Sequence, residues 1–204
     1  MTPFTRHEGK AVILPLDNVD TDQIIPARFL RKPRSAGYGN FLLHDLRFDE
    51  AGSPVAGFPL NEAGDDVRFI VAGSNFGCGS SREGAVYALV DYGIRAVIAP
   101  RVADIFRNNA VRNGLLPVEL DAEAHATLTA AIASAPDAPL SIDLESKHIS
   151  HPNFQISFEI DEPSRRRLLL GLDDIAETAE RFAVIDAFET TYRLAEPWRW
   201  PAAQ

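Results

Sequence analysis

The 204-residue sequence predicts an α/β fold with at least part of its sheet parallel. Three observations carry this. Apolar strand-like runs at 67–72, 95–99 and 115–120 alternate with helical stripes at 82–93 and 102–114, as packed strand–helix units do. Period-two patterning in "LSIDLE" and "NFQISFEI" adds a β-hairpin. Helical patterns then run from Pro163 towards the C-terminus.

Taken in order, "AVILPL" (11–16) is an apolar run of strand length, followed by the Asp-rich turn of "DNVDTDQIIPARFL". From Arg31 to Asp66 there is little periodicity and many Gly and Pro residues. A segment that long and irregular marks a functional loop, a lid or small hairpins. Within it "RKPRSAGYGN" is basic and poor in large apolar anchors, which predicts mobility when nothing is bound. "VRFIVA" (67–72) is a strand, and "REGAVYALVDYG" a helix with Ala85, Val86, Ala88, Leu89 and Tyr92 inward and Gly93 as its stop. After the strand "RAVIA", the helix "VADIFRNNAVRNG" places Val102, Ile105, Phe106 and Ala110 on one face. Asp121 caps a helix to about Ala135, with Leu128 and Ile132 inward. The hairpin should turn through His148 and His151, and two final helices should divide at Gly171. The three arginines 165–167 read as a solvated face, and Trp198 and Trp200 of "WRWP" as cover for the core. With no repeat or low-complexity linker, the expectation is one domain over 1–204 with a helical C-terminal extension from about 162.

Composition narrows the function classes. A hydrophobic share of 46% and a charged share of 24% suit a soluble globular protein. A net charge of −9 disfavours nonspecific attraction to nucleic acid or an anionic membrane, so neither is expected as a partner. The lone Cys78 allows no internal disulfide and points to a reducing compartment. No apolar run approaches the ~20 residues of a membrane span. "MTPFTRHEGK" lacks a signal-peptide core, so a cytoplasmic location is expected.

The segment that invites chemistry is "AGSNFGCGSSREGAVYAL" (72–89), a glycine-rich turn between strand and helix. Such a turn is a natural anion site, because first-turn N–H groups point outward unpaired. It lacks the lysine of a Walker A loop and does not fit the G-x-G-x-x-G dinucleotide fingerprint. Cys78 has no second cysteine with which to hold an iron–sulfur cluster, and no histidine pair has helical ligand spacing, so no metal site is expected in this chain. As a nucleophile Cys78 would gain from the helix N-terminus, but it has no neighbouring histidine. Ser80 or Ser81 is a natural N-cap, with Glu83 favoured by the helix dipole. Arg82 is the residue this leaves unexplained, a cation at the positive end of a helix that calls for an anion. A substrate carboxylate, held bidentately by the guanidinium, answers that need.

"NFGCGSSRE", with "DNVDTDQIIPARFL" upstream and "VIAPRVADIFRNNAVRNGLLPVEL" downstream, resembles the small subunits of 3-isopropylmalate dehydratase. These are swivel-domain members of the aconitase superfamily. The similarity covers most of residues 8–120 and resumes at "GLDDI" (171–175). It implies a swivelling β/β/α domain of the aconitase type, a mixed sheet or partial barrel flanked by helices. It also implies a hydro-lyase of leucine biosynthesis that interconverts 2-isopropylmalate and 3-isopropylmalate through isopropylmaleate. The family's [4Fe–4S] cluster sits on a separate large subunit, so activity would need that partner. By matching motif positions, Ser80 corresponds to the catalytic base, a serine alkoxide that removes a proton from the carbon beside a carboxylate. Ser81 and Arg82 correspond to substrate-carboxylate binders, and Asp22 to an active-site aspartate. Residues 28–40 match the region that contacts the variable substituent.

The chain departs from the family pattern "SSREHAPWAL" at Gly84, Val86 and Tyr87. The serine–arginine core is intact, so the reaction class stands. A related hydro-lyase acting on another alkyl- or methyl-substituted malate remains the alternative.

Overall fold

The structure, a computed structural model, describes residues 1–64, 66–152 and 154–200. Its strands are β1 (Arg6–Leu14), β2 (Val67–Ala72), β3 (Ala96–Ala99), β4 (Leu116–Glu119), β5 (Leu140–Asp143), β6 (His148–His151) and β7 (Phe154–Ser157). The helices are α1 (Thr21–Ile24), α2 (His44–Arg47), α3 (Pro59–Glu62), α4 (Glu83–Tyr92), α5 (Asp104–Arg112) and α6 (Ala122–Ser134), then α7 (Glu162–Leu170), α8 (Asp174–Ala179) and α9 (Phe182–Ala195). The strands form one curled mixed sheet in the order β4-β3-β2-β1-β5-β6-β7, with β1 to β4 parallel and β5 to β7 antiparallel. This is the α/β fold with parallel pairing that the sequence predicts, and the mixed sheet with flanking helices that the resemblance implies.

Strand β1 joins the two halves. Residues 6–9 pair antiparallel with β5, while residues 10–14 pair parallel with β2. The register shifts between Lys10 and Ala11. Gly9 makes the crossing possible, since a Cβ there would lie 2.9 Å from the Cβ of Arg68. The strand therefore begins earlier than "AVILPL" suggests, because its polar first half finds a partner in β5.

Alternation along the buried strands feeds two cores. Ile70 and Val97 face a layer with Leu14, Ile24, Leu89 and Phe106, whereas Phe69, Val71 and Ile98 face Phe4, Leu128, Ile142 and Leu168. Helices α4 and α5 thus cover one face and α6 and α7 the other. Each fully buried Leu, Ile or Phe stabilises this arrangement by about 1.5–3 kcal/mol. The helix ends obey local chemistry. The Asp121 carboxylate accepts from Ala124 N at 2.8 Å, and Gly93, in the left-handed region at φ +111°, closes α4.

Several expectations need correction. The hairpin is a three-stranded meander, and His148 and His151 lie on its middle strand, because Ile149 between them is fully buried. On α5 the inward residues are Phe106, Ala110 and Val111, while Ile105 is 54% exposed. The helix starts two residues after Val102, which rotates its face away from the one expected. The segment after Gly171 forms two helices rather than one, and α9 buries none of its residues. Trp198 is 73% exposed and covers no core; Pro201 of the "WRWP" tail and the rest of 201–204 lie outside the described residues. Arg165, Arg166 and Arg167 are ion-paired to Glu162, Glu180 and the Asp174–Glu177 pair, so that face is stapled rather than merely solvated. No helix of the described residues is long and apolar enough to cross a membrane.

Candidate active site

Three connections leave the carboxyl ends of neighbouring parallel strands and interlock. Residues 15–20 follow β1, residues 73–82 follow β2, and residues 100–103 follow β3. Open α/β sheets bind ligands beyond such strand ends. The weave is made by backbone. Gly77 N donates to Val19 O at 2.7 Å, Thr21 N to Cys78 O at 3.0 Å, and Phe76 N to Arg101 O at 3.1 Å. Short bridges join Asp20 to Cys78 and Phe76 to Val102. Gly77 permits the closest approach, with φ +76° and a would-be Cβ 2.7 Å from Phe106 Cδ2.

Within this weave the structure gathers the residues singled out in the sequence. Asp20 caps α1 through a capping box with Gln23, so the carboxylate of Asp22 is presented from the first turn of that helix. There it meets the guanidinium of Arg82, to which Asp22 Oδ1 is hydrogen-bonded. Buried Thr21 donates its hydroxyl to the carbonyl of Ser80 at 2.9 Å, fixing the backbone of the serine pair. The Ser80 and Ser81 side chains are exposed, and Asn109 Nδ2 of α5 reaches Ser81 Oγ at 3.5 Å. Asn113 Nδ2, one turn on, donates to Glu83 at 2.9 Å.

Two expectations change here. Neither serine caps α4; the N-cap position belongs to Arg82, with no side-chain capping bond. Ala85 N donates to Arg82 O at 3.1 Å, while the N–H groups of Glu83 and Gly84 and the Ser80 hydroxyl face no capping side chain and can serve a ligand. Arg82 does find an anion within this chain, in Asp22. Cys78 is a packing residue of the turn, with Sγ 3.4 Å from Asn18 O. Among the described residues no three His, Cys, Asp or Glu side chains are gathered to hold a metal ion; an iron–sulfur cluster takes several thiolates, and Cys78 is the one cysteine of the sequence, so the donor set does not fit it. Thr21, Asn109 and Asn113 were not foreseen. Asn109 and Asn113 share a helical face by their i,i+4 spacing, but nothing local says which way that face points.

Residues 26–41 are docked on α4. Arg34 binds Asp91 through Nε at 3.0 Å and Nη2 at 2.6 Å, and its guanidinium lies 4.2 Å from the Tyr87 ring centre. Burial, seconded by the charge of Glu83, pushes the Tyr87 phenol above its ordinary pKa. Phe29 and Phe41 stack at 4.3 Å. Arg28 grips Asp45, whose carboxyl this hydrogen bond draws down to about 2.

The comparisons with known proteins agree with this architecture. The aconitase C-terminal domain model matches residues 1–123 and a LeuD_N model residues 126–162. The 3-isopropylmalate dehydratase small subunit of Dinoroseobacter shibae is 46% identical over 200 residues, 97% of this chain and 100% of its own length. The chain belongs to the 3-isopropylmalate dehydratase small-subunit family. The small subunit of Rhodospirillum centenum is likewise 46% identical, over 97% of this chain and 98% of its own. A crystal structure of 3-isopropylmalate dehydratase from Methanocaldococcus jannaschii superposes with a TM-score of 0.64 at 31% identity, covering 89% of this chain and 98% of that one. The family's fold is thus that of the aconitase C-terminal domain, as the resemblance implied.

Proposed function

We propose that this chain is the small subunit of a hydro-lyase that converts 2-isopropylmalate to 3-isopropylmalate through isopropylmaleate, in the leucine pathway. The observation that carries the reading is the meeting of Asp22, Ser80, Ser81 and Arg82 at the carboxyl ends of β1 and β2, within a chain 46% identical to named small subunits. The [4Fe–4S] cluster is assigned to a large subunit, because a cluster takes several thiolates and the sequence holds one cysteine, Cys78; a cytoplasmic setting suits such an enzyme.

In this reading Arg82, oriented by Asp22, pairs with a substrate carboxylate, and Ser81 adds a hydrogen bond to it. Ser80, as its alkoxide, takes the proton from the carbon beside that carboxylate and becomes the hydroxyl, while the substrate's hydroxyl leaves the neighbouring carbon as water and the double bond forms between the two. Its hydroxyl is a very weak acid. A helix N-terminus contributes up to ~2 kcal/mol, or about 1.5 pKa units, and Ser80 stands ahead of α4 rather than at its cap. Loop N–H donors and Arg82 must supply the remainder, in a site from which water is excluded. Ser80 is exposed among the described residues, so in this reading a partner surface closes over it.

The test is co-expression with the large subunit, anaerobic cluster reconstitution, and assay on 2-isopropylmalate, citramalate and dimethylmalate. Turnover of 2-isopropylmalate by the complex and none by the lone chain is expected. Turnover by this chain alone would contradict the division of labour, and a preference for citramalate would favour the related-malate alternative.

A further inference from the structure

Gly84, Tyr87 and Asp91 fall at i, i+3 and i+7 on α4, one stripe of the helix. Residues 26–41 lie along that stripe. Arg34 holds the far end on Asp91 and crosses Tyr87. Gly39 sits so close beyond it that a Cβ there would be 2.6 Å from Tyr92 N. At the near end, two residues from Arg82, Leu30 fills the space beside Gly84. A Cβ on Gly84 would stand 2.6 Å from Leu30 Cδ2 and 3.5 Å from Tyr38 Cε2. Tyr38 in turn is buried and donates its hydroxyl to Lys32 O at 2.9 Å, tying the turn together.

Of the positions where this chain departs from the family pattern, Val86 is fully buried in the core, while Gly84 and Tyr87 both face the docked segment. We propose that Gly84 and Tyr87 form a seat for residues 26–41, with Gly84 a notch for Leu30. The seat sets how close the segment rides to Arg82 and so the size of the alkyl group the site admits. Gly84 has no contact with substrate in this account; it is a positioning residue, and the proposal rests on the function proposed above.

A double-mutant cycle tests it. Gly84→Ala sets a methyl group against the Leu30 Cδ2 tip, which has to leave its notch, whereas in a Leu30→Ala background the added methyl group has room. In the reconstituted complex, Gly84→Ala is expected to change the ratio of kcat/KM for 2-isopropylmalate over citramalate at least fivefold. The same change made in Leu30→Ala should alter it less than twofold. On the full chain alone, the rate of tryptic cleavage after Arg31 and Arg34 should follow the same pattern. A loss of rate equal on both substrates, or an equal effect in both backgrounds, would overturn the seat. If the wild-type complex turns over no alkylmalate, the function and the substrate-size claim both fail, while the proteolysis cycle still decides whether Gly84 seats Leu30.

Discussion

Asp22 and Arg82, separated by 60 positions in sequence, are joined by an ion pair between the first turn of α1 and the N-cap of α4. The pair fastens the connection after β1 to the loop after β2, and it aims a guanidinium at the space before the serines. Asp22 is half exposed, so the pair itself contributes only about 0.2–1 kcal/mol to stability. Asp22→Asn should therefore leave chemical denaturation nearly unchanged. In the proposed site the pair also orients Arg82, and a guanidinium about 1 Å out of place is enough to cost about 100-fold in rate. Steady-state kinetics on the complex should accordingly show kcat/KM down by about 10- to 100-fold. A large loss of stability with normal kinetics would mean that the pair is scaffolding only.

Two glycines of the same loop predict different costs. Gly77 has φ +76° and a would-be Cβ against the Phe106 ring, while Gly79 has φ +87° with nothing nearer than 3.5 Å. Gly77→Ala combines left-handed strain with overpacking, about 2–4 kcal/mol. Gly79→Ala bears the strain alone, about 1–2 kcal/mol. Urea unfolding of the two variants should separate them in that order.

The Arg28–Asp45 pair gives a pH signature. Asp45 is drawn from 3.8 to about 2, chiefly by its hydrogen bond to Arg28. A depressed folded-state pKa means that the unfolded chain takes up the proton first as pH falls. The pair's contribution is thus complete above the unfolded value and lost as pH drops towards about 2. An NMR titration of the Asp45 carboxyl should show a midpoint near 2 in the wild type and an ordinary one in Arg28→Ala. A wild-type midpoint near 3.8 would refute the pairing in solution.

The C-terminal helix should be dispensable for the stability of the sheet. Helix α9 buries no residue, and Phe188 and Leu194 are 64% and 82% exposed. Truncation after Arg181 retains the Arg166–Glu180 ion pair. It should lower the unfolding free energy by no more than about 1 kcal/mol, the scale of changes that touch no core. A loss of several kcal/mol would show that α9 packs more tightly than its exposure implies.

The residues show why some of this was legible in the sequence and some not. The β2–α4–β3–α5–β4 alternation follows from local apolar period and glycine stops, so Gly93 and Gly114 mark their boundaries correctly. The glycine–serine–arginine loop is equally local. Strand β1 is longer than its apolar run because β5, some 130 residues away, pairs with its polar half. His148–His151 resembled a turn because its two histidines outweigh one buried Ile149. The anchoring of residues 26–41 was hidden because Gly84 and Gly39 act through what they lack, a side chain, and only the packed neighbour reveals it. The Asp22–Arg82 pair was half visible. The need of Arg82 for an anion could be argued, but not that the anion lies within the chain.

The proposed function gives Ser80, as its alkoxide, the removal of the proton. It is tested most directly by comparing wild type and Ser80→Ala in the complex with the cluster-loaded large subunit, with assembly verified by co-purification. Because Ser80 is exposed and its carbonyl, not its hydroxyl, carries the contact to Thr21, the variant should assemble normally. Its kcat on 2-isopropylmalate should fall by at least about a thousandfold, within the range of losing an essential proton-transfer group. A Ser80→Ala complex that keeps wild-type kcat would show that another group removes the proton.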